Sequence, residues 1–363
     1  MENRRGRRAP RSERRDISGL MTGIDLHSDH GVSSPDLVSV IVPAYNATAT
    51  VGKCLDGILA SDWIEVEIVV VDDGSRDETP SIVARYPTVR LVTQSNQGSA
   101  AAKNRGARES RGAYLYFLDS DVVIRPETVR MFVETIRAYR VQMVLGRYST
   151  TPINKTLAAH YKALFDYVYY VPRRLRNRVY LNGQIGGGDF IERQSFFALG
   201  GYDPRFTGAS VEREEFYIRF YEAGLRSAAN PLIRTAHHFP SLRGLLRNYR
   251  ERIDGTIQLL RGRSAPFTYF SRIRMTVPPA IGLAAAGTSL AALAVPAAGL
   301  AAAFLWLAWG AASWDFISEA WKRKGPAMAL LLLLLHLSVS VAILGMAVIS
   351  YLRAEFRHIV TRG

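Results

Sequence analysis

Two aspartates, Asp119 and Asp121, follow the apolar run Tyr114–Leu118 with one serine between them. Residues at positions i and i+2 of an extended chain share a face. Two carboxylates at that spacing can chelate one hard divalent cation together with diphosphate oxygens, and the cation would neutralise charge on a departing diphosphate. Acidic loops are frequent in proteins, so it is the strongly apolar stretch in front of the pair that favours a metal site.

A second acidic pair, Asp72 and Asp73, follows the apolar run Glu67–Val71 and precedes Gly74 and Ser75. Adjacent carboxylates after a buried strand cost free energy unless something uses them. A carboxylate there can accept a hydrogen bond from a nucleobase N–H or from ribose hydroxyls. A helix N-cap at Asp73 or Ser75 explains the same residues equally well.

Two further segments could reach a nucleotide. The run Ser39–Val42 ends at Pro43, which stops ladder pairing, and Tyr45 follows in the turn, where it could meet a base or a ribose. Lys103 lies in the small-residue segment Asn96–Gly106, from which it could reach a base or a phosphate. An ordinary strand-to-helix turn and a packing helix are the competing interpretations.

The segments that carry these residues alternate between short β-branched runs and helical stretches. Such alternation is typical of a mostly parallel, doubly wound α/β sheet flanked by helices, in which ligands bind beyond the carboxyl ends of the strands. The predicted strands are Ser39–Val42, Glu67–Val71, Val89–Val92 and Tyr114–Leu118, and the predicted helices are Ala49–Ala60, Asp77–Arg85 and Ser99–Ser110.

The overall charge and cysteine content narrow the class of protein. The chain has 363 residues and a formal net charge of +14, which suits a phosphorylated ligand or an anionic lipid surface, although a solvated surface explains it too. Cys54 is the single cysteine, which excludes a disulfide framework and fits a reducing compartment. Residues 1–35 begin with many arginines and contain no apolar signal-peptide core, so they are predicted to form a basic disordered tail.

Two stretches near the C-terminus, Met275–Trp314 and Gly325–Leu352, contain no Asp, Glu, Lys or Arg. A spanning helix needs about 20 apolar residues. The first stretch is broken at Pro296 and predicts a helical hairpin over residues 278–313, and the second predicts a span over residues 328–352. We therefore expect a membrane region at residues 276–352 and a tail at residues 353–363.

In order and spacing, these elements resemble the family 2 glycosyltransferases, which have the GT-A fold. The resemblance covers about residues 38–250 and is carried by the V-D-D-G-S segment Val71–Ser75, the helix Asn96–Gly106, the D-S-D segment Asp119–Asp121 and the G-G-Y-D segment Gly200–Asp203. It implies a GT-A domain over residues 36–265 that binds a nucleotide-diphosphate-sugar donor and a divalent cation, Mg²⁺ or Mn²⁺.

The resemblance also assigns roles to single residues. It implies that Asp72 or Asp73 contacts the base, that Asp119 contacts the ribose, and that Asp121 binds the metal. His237 matches a family position where histidine helps to hold metal or diphosphate. A structural histidine is about as frequent at such a position, so the two interpretations stay open.

The catalytic base is where the sequence departs from the family. The family's E-D-x-D-L frame is fixed here by its offsets to Arg219 and Gly224, so Arg213 occupies the position of the usual aspartate. Arginine cannot act as a general base. The competing interpretation is that the glutamates around Arg213 lie on an exposed acidic helix. The remaining candidates for the base are Glu212, Glu215 and Glu214, in that order.

These observations predict a metal-dependent, inverting glycosyltransferase that adds a sugar to a hydroxyl of a lipid-linked acceptor, as in cell-envelope or exopolysaccharide assembly. It would lie in the inner (plasma) membrane as a multi-pass protein, with its catalytic domain in the cytoplasm. The alternatives are a polyprenyl-phosphate sugar synthase, whose anionic acceptor needs no strong base, and a non-catalytic nucleotide-sugar-binding membrane scaffold. Nucleic acid is not an expected partner, because no aromatic-basic motif accompanies the charge.

Overall fold

The computed structural model describes residues 34–183, 185–206, 211–262 and 269–360, so the predicted basic tail lies outside the described residues apart from its last two positions. The strands are β1 (Val38–Ala44), β2 (Val66–Asp72), β3 (Val89–Thr93), β4 (Tyr114–Phe117), β5 (Val122–Val123), β6 (Met143–Tyr148), β7 (Tyr180–Leu181), β8 (Asp189–Glu192) and β9 (Ser227–His237).

Within the described residues these strands form one mixed sheet. Their order is β3-β2-β1-β4-β8-β6-β9-β5, with β7 paired to β9. The first four strands pair in parallel, whereas β8 runs antiparallel to both β4 and β6. The predicted mostly parallel α/β sheet is confirmed, and the antiparallel strands come from the part of the chain to which sequence analysis assigned no strands.

Helices flank this sheet and then continue alone. Those of the sheet domain are α1 (Val51–Leu59), α2 (Thr79–Val83), α3 (Ser99–Glu109), α4 (Thr128–Tyr139), α5 (Leu157–Tyr169), α6 (Arg193–Ala198), α7 (Glu212–Glu222) and α8 (Leu242–Gly262). A 3₁₀ turn at Arg173–Leu175 follows α5. The C-terminal helices are α9 (Tyr269–Ala291), α10 (Ala298–Ala312) and α11 (Trp314–Val360).

β1 is buried on both faces because its side chains alternate between two cores. Val40 packs with Leu55 of α1 in one core, and Ile41 packs with Ala100 of α3 in the other. A continuous β-branched run is typical of such a strand. Gly106 lets α3 approach closely, since an added Cβ would lie 2.4 Å from Ile41 Cγ2.

The C-terminal helices contain long apolar stretches. The chain breaks at Pro296 between α9 and α10, which pack against each other, and α11 is interrupted at Gly325, where φ is +77°. Within the described residues, Trp314–Glu355 is the one helix that is long and apolar enough to cross a bilayer, while Ala280–Ala291 and Ala298–Ala312 are apolar but shorter. The predicted tail at residues 353–363 begins inside α11 and ends outside the described residues.

α11 also packs against the sheet domain. Its Phe316 and Leu332 are buried in a cluster with Tyr161 and Leu164 of α5. His336 lies in the same interface, with Nε2 3.0 Å from the hydroxyl of Tyr169. The apolar helix is therefore attached to α5, an element that also reaches the cleft described next.

Candidate active site

A cleft of about 830 Å³ opens at the carboxyl ends of β1, β2 and β4 and is walled on the other side by α5, α7 and α8. This is where ligands bind in open α/β sheets. The cleft brings together most of the residues that sequence analysis selected, whereas Asp72 and Glu215 are not part of its lining. The selected residues that line it are Pro43, Tyr45, Asp73, Lys103, Asp119, Asp121, Glu212, Glu214 and His237.

Asp121 and His237 meet through strand pairing. β5 runs antiparallel to β9 with Val122 opposite His237, and the N–H of His238 donates to the Asp121 carbonyl oxygen at 2.8 Å. His237 Nε2 consequently lies 3.1 Å from Asp121 Oδ1. The imidazole stacks on Tyr148 with ring centroids 4.5 Å apart, which fixes its orientation.

The chemistry of this pair fits a divalent cation. Asp121 Oδ1 and His237 Nδ1 are buried and have no hydrogen-bond partner of normal geometry among the described residues. Mg²⁺ is usually bound through one or two carboxylates together with substrate phosphates and water. In the described ranges, no group of three or more His, Cys, Asp or Glu side chains could hold a metal, so diphosphate oxygens and water would have to complete the coordination.

Asp73 holds a loop at the rim of the cleft. Its Oδ1 accepts hydrogen bonds from the Gln97 N–H (2.9 Å) and from the Gln94 side chain (2.7 Å), and its Oδ2 accepts one from the Gly98 N–H (2.8 Å). These bonds tie the end of β2 to the start of α3. The carboxylate therefore shapes the cleft at the strand ends, and its contact with a base stays a prediction.

The neighbouring turn is fixed in the same way. Asp72 is buried, and its Oδ1 accepts a hydrogen bond from the Ser75 N–H at 3.2 Å. The Ser75 hydroxyl accepts one from the Asn46 N–H at 2.9 Å, which joins this turn to the β1 turn that carries Tyr45. The Tyr45 side chain is exposed at the cleft, where its ring offers an apolar surface to a base.

Lys103 links the two sides of the cleft. Its Nζ lies 3.4 Å from both Asp119 Oδ1 and Glu212 Oε1. Burial alone would lower the pKa of Lys103, but the Asp119 and Glu212 carboxylates outweigh it and raise that pKa. Burial alone would raise the pKa of Asp119, but the charges of Lys103, Arg213 and His237 lower it. Both groups are therefore held in their charged forms.

Glu212 begins α7 and lies in the cleft wall, 7% exposed. Burial raises the pKa of its carboxyl above the usual 4.5, against the opposing charge of Lys103. A higher pKa makes a carboxylate a better proton acceptor. Glu214 also lines the cleft, but its side chain is 31% exposed and lies 3.8 Å from Arg252 Nη1.

Glu215 is committed to a structural ion pair. Its carboxylate accepts from the Arg219 guanidinium through Nε at 2.8 Å and Nη2 at 2.6 Å. The same guanidinium donates to the carbonyl oxygens of Leu199 and Gly201. This pair fastens α7 to the Gly-Gly turn, and the structure does not bring Glu215 to the cleft.

Arg213, which the sequence resemblance placed at the family's aspartate position, is neutralised by Asp189. Its Nε donates to Asp189 Oδ2 at 2.9 Å, and its Nη2 donates to Asp189 Oδ1. Asp189 is 3% exposed and also accepts from the hydroxyls of Tyr202 (2.8 Å) and Tyr217 (2.5 Å). Both charges are therefore satisfied by each other and by tyrosines.

Sequence reasoning missed Asp189 and the residues of the far wall. Asp189 is a charged residue at the start of a short apolar strand, directly after three glycines, and that pattern could have singled it out. Lys162, Asp166 and Arg252 also line the cleft. They lie on α5 and α8 and carry no motif, so nothing in the sequence sets them apart from other polar helix residues.

A family model matches the part of the chain that contains β1 to β4, at one side of this cleft. Residues 39–197 match the model described as "Glycosyl transferase family 2". The chain therefore carries a family 2 glycosyltransferase domain, and the resemblance seen in the sequence is confirmed. The matched segment includes the donor-side residues and Asp189, and it ends before α7, which carries Glu212.

Individual relatives match over short segments. The chain is 39% identical over 123 residues to the succinoglycan biosynthesis protein ExoO of Rhizobium meliloti (strain 1021), which is 33% of this chain and 35% of that protein. It is 35% identical over 105 residues to the chondroitin synthase of Escherichia coli, which is 28% of this chain and 15% of that protein. The matches thus span about a third or less of these relatives.

One solved structure resembles most of the chain. The mannosyltransferase PcManGT from Pyrobaculum calidifontis, solved in complex with GDP-Man and Mn²⁺, has a TM-score of 0.58 and 22% sequence identity, and the match covers 88% of each chain. At that identity the likeness concerns the fold. It agrees with the GT-A-type sheet described above.

Proposed function

We propose that this protein is a membrane-bound, inverting glycosyltransferase that moves a sugar from a nucleotide-diphosphate-sugar to a hydroxyl of a lipid-linked acceptor. The observation that carries the proposal is the cleft itself. It holds the Asp121 and His237 pair on the donor side and the buried Glu212 on the acceptor side, with Lys103 between them. The family 2 domain supports the reaction class.

In the proposed reaction, Glu212 acts as the general base. Its carboxylate takes the proton of the acceptor hydroxyl, the hydroxyl oxygen forms a bond to the anomeric carbon, and the bond from that carbon to the diphosphate oxygen breaks. The electron pair of the broken bond stays on the nucleoside diphosphate. A single displacement from the opposite face inverts the anomeric configuration. Burial supports this role because it raises the pKa of Glu212.

Asp121 and His237 are the residues that would hold Mg²⁺ or Mn²⁺. A bound cation would stabilise the negative charge that develops on the diphosphate. The buried Asp121 Oδ1, 3.1 Å from His237 Nε2, supports this assignment, and so does the Mn²⁺ named with the mannosyltransferase of similar fold. Lys103, close to Asp119, would add positive charge on the same side of the cleft.

Membrane attachment is proposed through α11, the one described helix suited to a span. Its contacts with α5 support a lipid-linked acceptor, because Lys162 and Asp166 of α5 line the cleft. We infer the inner membrane, with further passes by α9 and α10 and a cytoplasmic catalytic domain, from the sequence. Full-length protein should stay in the membrane pellet after alkaline carbonate and leave it with detergent. Recovery in the high-speed supernatant without detergent would contradict this part of the proposal.

Two alternatives make different demands on the cleft. A polyprenyl-phosphate sugar synthase needs no strong base, and Arg213 at the aspartate position would suit it. The ion pair of Arg213 with Asp189 weakens that argument, because it gives the arginine a structural role. A non-catalytic scaffold would need neither Glu212 nor the buried Asp121 oxygen in the cleft.

The test is mass spectrometry of lipid-linked intermediates from cells that lack the protein, complemented with wild type, Glu212→Gln or Glu214→Gln. Glu214→Gln is the matched control, since Glu214 lies in the same helical turn. The proposal is supported if cells without the protein lose one glycan step, and if wild type and Glu214→Gln restore that step whereas Glu212→Gln does not. Loss of a lipid monophosphate sugar that all three restore would favour the synthase. An unchanged profile would refute transferase activity in these cells.

A further inference from the structure

A second group of basic residues lies on the other face of β6 from the cleft. Side chains alternate along a strand, so Tyr148 lines the cleft while Arg147 points away from it. Arg147 lies beside Arg234 of β9 in the strand register. Three guanidinium groups surround the ring of Tyr167 in α5, at 4.6 Å for Arg147 and at 4.5 Å for Arg176 and Arg323, measured from each Cζ to the ring centroid.

The acidic residues of this region are already committed. Arg176 donates to Asp315 and to Glu319 of α11 at 2.6 Å and 3.2 Å. Arg323 donates to Glu319 at 2.7 Å and to the Tyr167 hydroxyl at 2.8 Å. The two carboxylates are thus matched by two of the guanidinium groups.

Arg147 and Arg234 have no such counter-ion among the described residues. Arg147 is 5% exposed, and its Nε donates to the Pro231 carbonyl oxygen at 2.6 Å. Arg234 Nε is buried and has no hydrogen-bond partner in the described part of the chain. Burial and the neighbouring arginines, Arg234 foremost, lower the pKa of Arg147 to about 10. Buried charges are normally paired, so the buried Arg147, with the partly buried Arg234 beside it, calls for an anion.

We propose that Arg147 and Arg234 form a phosphate-binding site, separate from the catalytic cleft, at the junction of the sheet domain and α11. Guanidinium groups recognise phosphate through paired N–H donors, which makes arginine the side chain of choice for this ligand. The site takes a phosphate monoester or diester.

Its position favours the phosphate of a lipid headgroup. The segment of α11 that contacts Tyr167 comes directly before the break at Gly325 and the apolar run that follows it. Trp314 and Trp321 in that segment are exposed, and tryptophan is enriched where a membrane meets water. The lipid source rests on the membrane attachment proposed above, whereas binding of a soluble phosphate does not.

The test measures thermal unfolding of the purified full-length protein in a neutral detergent. One arm compares added phosphatidylglycerol with diacylglycerol, which has the same acyl chains and no phosphate, and the other compares inorganic phosphate with chloride at equal ionic strength. A ligand at about 100 times its Kd should raise the Tm of the wild type by about 3–4 °C. Arg234→Gln should lose most of that rise, Arg234→Lys should keep part of it, and Arg85→Gln, an exposed arginine in the loop after α2, should keep all of it.

The two arms separate the sources. A rise with phosphatidylglycerol alone supports a lipid ligand, and a rise with inorganic phosphate as well supports the site with a soluble ligand. Both outcomes require that Arg234→Gln lose most of the rise. The proposal is wrong if neither addition stabilises the wild type beyond its control, or if Arg234→Gln responds as the wild type does. Arg234 is only partly buried, so this variant should fold even where an Arg147 variant does not.

Discussion

The donor side and the acceptor side of the cleft are assembled differently. Donor-side residues follow directly from the ends of β1, β2 and β4, which are neighbours in one parallel sheet. Acceptor-side residues lie at the start of α7 and on α5 and α8, and their partners come from distant parts of the chain. Arg213, for example, is matched by Asp189 of β8.

This difference offers a physical reason for the departure at Arg213 that the sequence resemblance implies. A strand end fixes the direction of the next side chains, so the D-S-D pair has little freedom to change without losing the site. A helix surface can exchange an acid for a base when a neighbouring element supplies the compensating charge. On the sequence resemblance, Arg213 would be such an exchange, since the buried Asp189 accepts a hydrogen bond from it.

The largest effect should come from the donor side. Asp121→Ala removes the candidate metal ligand, and we expect turnover to fall by about 10⁴-fold, since metal stabilisation of a leaving group contributes several kcal/mol and about 1.4 kcal/mol is a factor of ten. The measurement is transfer rate in Mn²⁺, with circular dichroism to show that the fold is kept. Ser120→Ala, in the same loop, is the control. If Asp121→Ala keeps wild-type turnover in the presence of a chelator, the assignment of Asp121 as a metal ligand is wrong.

On the acceptor side, Glu212→Gln should reduce turnover by about 10²–10⁴-fold, the usual cost of removing a general base. Donor affinity should survive, because Glu212 lies across the cleft from the strand ends. Glu214→Gln should turn over nearly as fast as the wild type. Near-normal turnover by both variants, and by Glu215→Gln, would mean that no glutamate of α7 is the base, and the synthase alternative would then be preferred.

The ion pair behind the acceptor side should be visible in stability. Arg213→Met leaves Asp189 buried without its main partner, and breaking a buried pair in this way costs about 3 kcal/mol or more. Urea unfolding of the detergent-solubilised protein should show this loss. The double variant with Asp189→Leu should recover much of it, because the unpaired charge is gone. A double variant no more stable than Arg213→Met would argue that Asp189 and Arg213 do not act as a pair.

The smallest effect concerns the pH dependence of stability. The pKa of Glu212 is raised by burial, so the folded state favours the protonated carboxyl. The stability that the folded protein gains from the protonated carboxyl is fully present below the ordinary pKa of 4.5. It is lost as the pH rises through the raised pKa of the folded state. Glu212→Gln should therefore gain stability relative to the wild type between pH 4.5 and neutrality. Urea midpoints measured across that range would contradict the assignment if the difference stays constant.

Much of the donor side was determined by the sequence itself. The strands and the order of the D-D-G-S and D-S-D segments are local patterns, and they predict a parallel sheet with its polar residues at one edge. The charge-free C-terminal stretches are local patterns as well, and they predict apolar helices. Roles that depend on bound ligands, such as the contact of Asp119 with ribose, stay predictions. The pairing of Asp121 with His237 was reached through the family resemblance, and strand pairing supplies its geometry.

Tertiary structure decided the acceptor side. Three glutamates within four positions look equivalent in the sequence, but Glu215 is bound by Arg219, Glu214 faces the cleft partly exposed, and Glu212 is buried next to Lys103. The rotation of α7 against its neighbours sets these outcomes, and that rotation depends on contacts between residues far apart in the chain. For the same reason, the uncompensated pair of Arg147 and Arg234 becomes visible only when β6 and β9 lie side by side.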